Sequence, residues 1–164
     1  VAAVIGFAGF SNSGKTTLIA GLIPHLRGRG LSVAVIKHDA HGHYKEAEGT
    51  DTAAFADAGA DGFMALSPNG YYMHERRNLA LDDAVRKLQH YDLILAEGFK
   101  REPHPKIAVF LRHDQSAIME LLPHPPIAIA AVCPYECGNI PVFNINNYSG
   151  LSAWMIAYLG KLGQ

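Results

Sequence analysis

Gly9-Phe10-Ser11-Asn12-Ser13-Gly14-Lys15-Thr16 is the stretch on which the reading of this chain turns. It satisfies the pattern G-x-x-x-x-G-K-[ST] at every fixed position. The flanks agree with it. Residues 2–8 form an apolar, strand-like run leading in, and residues 16–26 lead out with Leu18, Ile19, Leu22, Ile23 and Leu26 at helical spacing. Such a loop is built to surround an anion. Glycines allow the backbone to turn successive N–H groups inward, and the following helix adds the partial positive charge of its N-terminus. Lys15 supplies a mobile cation for β- and γ-phosphates, Thr16 a hydroxyl for Mg²⁺, and Thr17 a reach to the α-phosphate. The expected contact set is Gly9, Ser11, Asn12, Ser13, Gly14, Lys15, Thr16 and Thr17.

Outward from the loop, short apolar runs alternate with helical stretches, which points to an α/β fold. Pro24 is expected to bend the first helix, because proline removes a helix hydrogen bond, and Gly28 and Gly30 to end it. Residues 31–36 (LSVAVI), 91–96 (YDLILA), 107–111, 127–132 (IAIAAV) and 141–143 read as strands. Residues 52–58, 79–88, 116–122 and 151–162 read as helices, the first capped by Thr50 or Asp51 and stopped by Gly59. Ser67-Pro68-Asn69-Gly70 sits between two strand-like runs, 62–66 and 71–74, and predicts a β-hairpin. The fold class expected is a phosphate-loop NTPase fold: a mostly parallel (mixed) sheet with flanking helices and an added hairpin, in a single domain of 164 residues.

A phosphate loop needs an acid near its metal, at the carboxyl ends of the strands. Asp92 and Glu97 both lie on the YDLILAEG run, but five residues at about 3.3 Å each hold them roughly 16 Å apart. Strand direction selects Glu97, as a metal ligand through water or as the group that orients the attacking water. Lys37, His38 and Asp39 close the second strand at the same edge, where any of them can face the γ-phosphate or the metal. Asp51 either approaches the Mg²⁺ shell or simply caps its helix. His41 and His43 in HDAHGH, and the C-x₃-C pair Cys133 and Cys137, suggest a transition metal, although a merely flexible loop and reduced structural thiols are the plainer readings.

The net charge of −1 gives no basic excess for nucleic acid. No apolar run reaches the roughly 18 residues of a membrane span, and no signal-peptide pattern opens the sequence, so a cytoplasmic protein is expected. Val1 starts almost inside a strand, so a few further residues are expected to precede it. For the base, N-K-x-D is absent. Two later strand ends are placed to reach it: Val132-Cys133-Pro134 and Asn144-Ile145-Asn146-Asn147, of which Asn147 is equally suited to cap a helix.

Taken together, FAGFSNSGKTTL, RGLSVAVIKH, GTDTAAFADAGA, YDLILAEGFK, PKIAVF and VFNINNYSGL resemble, in this order, the molybdopterin-guanine dinucleotide biosynthesis protein B (MobB) family. The pairing of the loop with the Lys37-His38 and Glu97-Gly98-Phe99-Lys100 strand ends makes the match specific. The resemblance implies a GTP-binding accessory protein of molybdenum cofactor biosynthesis, with Mg²⁺ and slow GTPase activity at most. It also implies a homodimer working beside a MobA-type nucleotidyltransferase. Gly14, Lys15, Thr16 and Thr17 match the family's phosphate contacts, Asp51 an acidic position near the site, and Glu97 the strand-end acid. Asn144 and Asn146 are the base contacts expected here. Asp39-Ala40-His41 departs from the family pattern after the Lys-His pair. Tyr71, Tyr72 and Met73 place bulky groups on an edge-like strand, which a second subunit or the chain's own sheet would cover. The alternatives on the same loop are a small-molecule kinase, for which Arg76-Arg77 and Lys100-Arg101 are the paired basic residues, and a GTP-dependent metal chaperone.

Overall fold

The computed structural model describes residues 2–132 and 134–162. In chain order its elements are β1 (Ala3–Ala8), α1 (Lys15–Arg27), β2 (Val33–Lys37), α2 (Asp51–Asp57), β3 (Gly62–Ser67), β4 (Gly70–Glu75), α3 (Leu81–Lys87), β5 (Leu93–Glu97), β6 (Lys106–Phe110), a 3₁₀ helix (His113–Leu121), β7 (Ala128–Ala131), β8 (Val142–Asn144) and α4 (Tyr148–Leu162). They fall into two compact units. One comprises residues 1–38 and 84–164, the other residues 39–83.

The larger unit is a six-stranded sheet in the order β2-β5-β1-β6-β7-β8. Every pairing within it is parallel. Antiparallel pairing is confined to the separate β3–β4 hairpin, so among the described residues the mixed character expected of the sheet resides in that hairpin alone. A parallel strand covered on both faces must be apolar at odd and even positions alike. β5 and β6 meet that demand, with all five residues of each buried.

The two faces have different coverings. Ile5, Phe7, Leu93, Leu95, Ile107 and Val109 pack with Leu18, Leu22 and Leu26 of α1 and with Leu151 and Met155 of α4. Their alternates Ala8, Ala108, Phe110, Ile129 and Ala131 pack against Ile118 of the 3₁₀ helix, with Tyr135 and Cys137 at the margin. Full burial of one such Leu or Ile contributes about 1.5–3 kcal/mol, so α1 is held by its four buried residues more than by helix propensity. That explains why α1 continues through Pro24 instead of stopping there. It ends where the Gly28 N–H donates to the Pro24 carbonyl and Gly30 takes a left-handed φ of 88°.

The smaller unit contains α2 and the hairpin. Thr50 is the N-cap, accepting from the Ala53 N–H at 3.2 Å, and Asp51 is the first helical residue. The loop before α2 is fastened by Glu46: one carboxylate oxygen accepts from the Tyr72 hydroxyl at 2.6 Å and the other from Thr52 at 2.8 Å. Among the described residues no helix is long and apolar enough to cross a membrane.

One ionisable group inside the larger unit has a stability consequence. His104 lies against β1 at Gly6, where a Cβ would stand 2.4 Å from its Nε2. Burial, and secondarily the Lys106 ammonium, push its pKa down from 6.5 to about 4. Between those values the unfolded chain binds a proton that the folded chain does not, so this group's share of stability is complete above pH 6.5 and is lost as pH falls toward 4. Thermal melts from pH 7 to 4 are expected to show a falling Tm with a shallower slope in His104→Gln; equal slopes in both proteins would contradict the assignment.

Candidate functional site

The sheet order places β1 at the centre, and its carboxyl end opens directly into the 9–16 loop. Gly9 is required for space: a Cβ there would lie 2.3 Å from Ser13 Oγ and 2.5 Å from the Val109 carbonyl. Gly14 is required for conformation, with φ of 89°, and Asn12 shares the left-handed region at 57°. Two left-handed residues within three positions curl the backbone into a concave nest of N–H groups. Gly14 is the N-cap of α1, with no side chain to cap the first turn, so the helix's unpaired N–H groups remain available to an anion.

Lys15 folds back over the loop. Its Nζ donates to the Gly9 carbonyl at 3.0 Å, to the Phe10 carbonyl at 2.8 Å and to Ser13 Oγ at 3.5 Å. Its pKa is lowered, chiefly by burial; Glu97 opposes that shift, and Lys100 and Lys37 add to it. Thr16 Oγ1 donates to Glu97 Oε1 at 2.9 Å, joining residues 81 positions apart. The β1–β5 register explains the meeting, since Glu97 pairs with Phe7, two residues before the loop, and with Lys37 on the other side. Asp92 is at the far end of β5, where its carboxylate accepts from the Ser32 N–H at 2.7 Å and from the Ser32 hydroxyl at 2.6 Å. Those bonds hold its pKa below the ordinary carboxylate value. Strand direction separates the two acids in the way the sequence suggested.

A cleft of about 550 Å³ lies over the loop, lined by Ser11, Asn12, Ser13, Gly14, Lys15, Thr16, Thr17, Lys37, His38, Glu97, Gly98 and Leu111. A hydroxyl and a carboxylate already within hydrogen-bond distance are the hard oxygen donors that Mg²⁺ prefers, so the residues present fit a Mg²⁺-bound phosphate chain. Ser13 is fully buried, and its hydroxyl accepts from the Lys15 ammonium. Gly9 is also buried and contributes its carbonyl to Lys15. Asn144 and Asn146 are outside the cleft lining, although Ile145 between them abuts the loop, its Cδ1 2.9 Å from where a Cβ of Gly14 would be. Asn144 Oδ1 accepts from the Asn146 N–H at 2.9 Å, and Asn147 Oδ1 accepts from Gly150 N–H at 3.0 Å. Asn147 thus acts as a cap to α4, and Asn144 retains its amide nitrogen for other contacts. Asp51 belongs to the smaller unit, as the first residue of α2.

Strand register and the turn after β5 place further side chains at and beside the cleft, and Lys37 and His38 are at the edge where the sequence put them. Lys37 and His38 reach it because β2 pairs with β5 in register, and the His38 ring packs on Phe99 at 4.9 Å. Lys100 Nζ lies 5.3 Å from the centre of the Phe10 ring, a cation–π contact of about 0.5–1 kcal/mol. The signal for both lay in the Glu-Gly-Phe-Lys segment, whose glycine follows the acid at once. Among the described residues no group of three or more His, Cys, Asp or Glu side chains is arranged to hold a metal ion. Cys133 lies outside the described residues.

The whole chain has relatives. A family model described as "Molybdopterin guanine dinucleotide synthesis protein B" matches residues 4–133. The molybdopterin-guanine dinucleotide biosynthesis adapter protein of Escherichia coli is 30% identical over 165 residues, spanning 96% of this chain and 94% of that protein. The Haemophilus influenzae protein of the same name is 32% identical over 137 residues, spanning 81% of this chain and 76% of that protein. A crystal structure of Bacillus subtilis MobB superposes with a TM-score of 0.77 at 26% identity, covering 94% of this chain and 96% of that one. With its fold, central loop and full-length relatives in agreement, the chain belongs to the MobB family, the adapter proteins of molybdopterin-guanine dinucleotide biosynthesis.

Proposed function

We propose that this protein binds GTP with Mg²⁺ in the cleft over residues 9–17 and, as a cytoplasmic adapter with slow GTPase activity at most, supports the attachment of a guanine nucleotide to the molybdenum cofactor's pterin. The observation that carries the reading is the Thr16–Glu97 hydrogen bond at 2.9 Å in the cleft that residues 11–17 of the loop also line. In this reading the nest of N–H groups and the α1 N-terminus hold the β-phosphate, Lys15 neutralises the β- and γ-oxygens, and Thr17 reaches the α-phosphate. Thr16 and Glu97 would hold a Mg²⁺, which would supply charge screening to the outer phosphates. Glu97 also orients water.

Guanine is favoured by the name of the relatives' product, and Asn144 and Asn146 supply the donors and acceptors to read it. The adapter role is assigned toward a MobA-type nucleotidyltransferase. A homodimer is supported by the hairpin. Its register pairs Met64 with Met73 and Leu66 with Tyr71, so one face carries four large apolar groups at 54%, 42%, 77% and 72% exposure. A second subunit is the covering that such a contiguous patch calls for.

Three outcomes are expected. Titration with Mg²⁺ and labelled nucleotide favours GTP over ATP, and equal affinity for both would remove guanine from the proposal. Lys15→Ala abolishes triphosphate binding, a loss of at least about a hundredfold from removing a charge-assisted contact, while the circular dichroism spectrum is retained. Glu97→Gln keeps GTP affinity within a few-fold but slows hydrolysis about 10²-fold; wild-type turnover in that variant would make Glu97 a bystander.

A further inference from the structure

Immediately after Glu97 the chain makes a turn of unusual conformation. Gly98 and Phe99 are consecutive left-handed residues, with φ of 91° and 52°. An aromatic residue with a left-handed φ is uncommon and requires surrounding structure to hold it there. Here the holding contact is the His38 ring at 4.9 Å. His38 is itself fixed, because its N–H donates to the Glu97 carbonyl at 2.9 Å. The space above Gly98 is also filled by His38, whose Cβ would stand 3.0 Å from an added Cβ. The turn is therefore held from its β2 side.

What the turn delivers is Lys100. Its ammonium is placed over the Phe10 ring, and the carbonyl of the same Phe10 accepts from the Lys15 ammonium at 2.8 Å. One residue of the loop thus carries two cations, one on its backbone and one on its ring. Among the described residues Lys100 has no carboxylate partner within ion-pair distance. Its flexible four-carbon stem lets the point charge move from the ring to a stronger anion nearby. The ring contact is weak beside a charge-assisted bond to phosphate.

The charge balance says which anion. Two further ammonium groups, Lys37 and Lys100, act on that of Lys15, against the carboxylate Glu97. Their sum is about +2, which matches a Mg²⁺-bound nucleoside triphosphate of about −2 and exceeds a Mg²⁺-bound diphosphate of about −1. We infer that Lys100 is a second phosphate-binding cation, aimed at the terminal phosphate, and that it makes the protein prefer a nucleoside triphosphate to the diphosphate. The inference rests on the triphosphate reading proposed above. In it the Gly98-Phe99 turn and His38 act as positioning elements, and Lys100 does from within the chain what an arginine supplied in trans does in other phosphate-loop proteins.

The test compares a non-hydrolysable GTP analogue with GDP, each with Mg²⁺, by calorimetric titration of the full chain. Lys100→Ala is expected to weaken the triphosphate analogue roughly tenfold or more and to change GDP affinity less than about twofold, with Lys100→Arg retaining most of the preference. Lys100→Gln keeps the stem length and repeats the measurement should the alanine variant melt early. An equal loss for both nucleotides would show that Lys100 only shapes the loop, and no loss for either would make it a surface lysine; each overturns the inference. Lys15→Ala serves as the control that separates the two proposals. If it leaves affinity unchanged, the triphosphate reading itself fails; if it abolishes binding while Lys100→Ala alters nothing, the Lys100 assignment alone fails.

Discussion

Parallel pairing of β1 with β5 is the constraint from which the cleft follows. Parallel neighbours present their carboxyl ends together, so the chain leaves β1 for the 9–16 loop at the edge where β5 leaves Glu97. An antiparallel arrangement would have brought Asp92 to the loop and sent Glu97 to the opposite edge. The pairing is in turn held by apolar residues on both faces of every central strand, which no solvent-facing sheet could sustain. The core and the site are therefore one requirement seen from two ends of the same strands.

Much of this was legible in the sequence, and for identifiable reasons. The loop is legible because its chemistry is local: Gly9, Gly14, Lys15 and Thr16 need only fixed spacing and a strand before a helix. Glu97 is legible because direction along one strand is a one-dimensional question. The hairpin is legible because Pro68-Asn69 between alternating runs leaves few other solutions. Element ends moved by one to three residues, as at α4, which begins at Tyr148 instead of residue 151.

What stayed hidden depends on pairs distant in sequence. Lys37 was placed at the loop's edge by its strand, but the seating of Lys100 over the Phe10 ring exists only in three dimensions. Ser13 lines the cleft as the motif suggests, and three dimensions add that its hydroxyl accepts from Lys15. His104 gives no signal in the sequence, since its burial is created by Gly6 on a strand about a hundred residues earlier. The Glu46 fastening of the loop before α2 needs Tyr72 from across the smaller unit.

The bond between Thr16 and Glu97 also orders events in the life of the chain. During synthesis the loop and α1 emerge long before β5, and β1 has no sheet partner until residues 93–97 follow. The phosphate-binding backbone and the metal-side acid therefore come together only after more than half of the protein exists. Long-range parallel pairing of this kind is slow to form, because loop closure must precede the contacts that reward it. A ligand that bridges Thr16 and Glu97 stabilises only the completed sheet, so nucleotide would select the finished protein from its partly folded precursors by mass action.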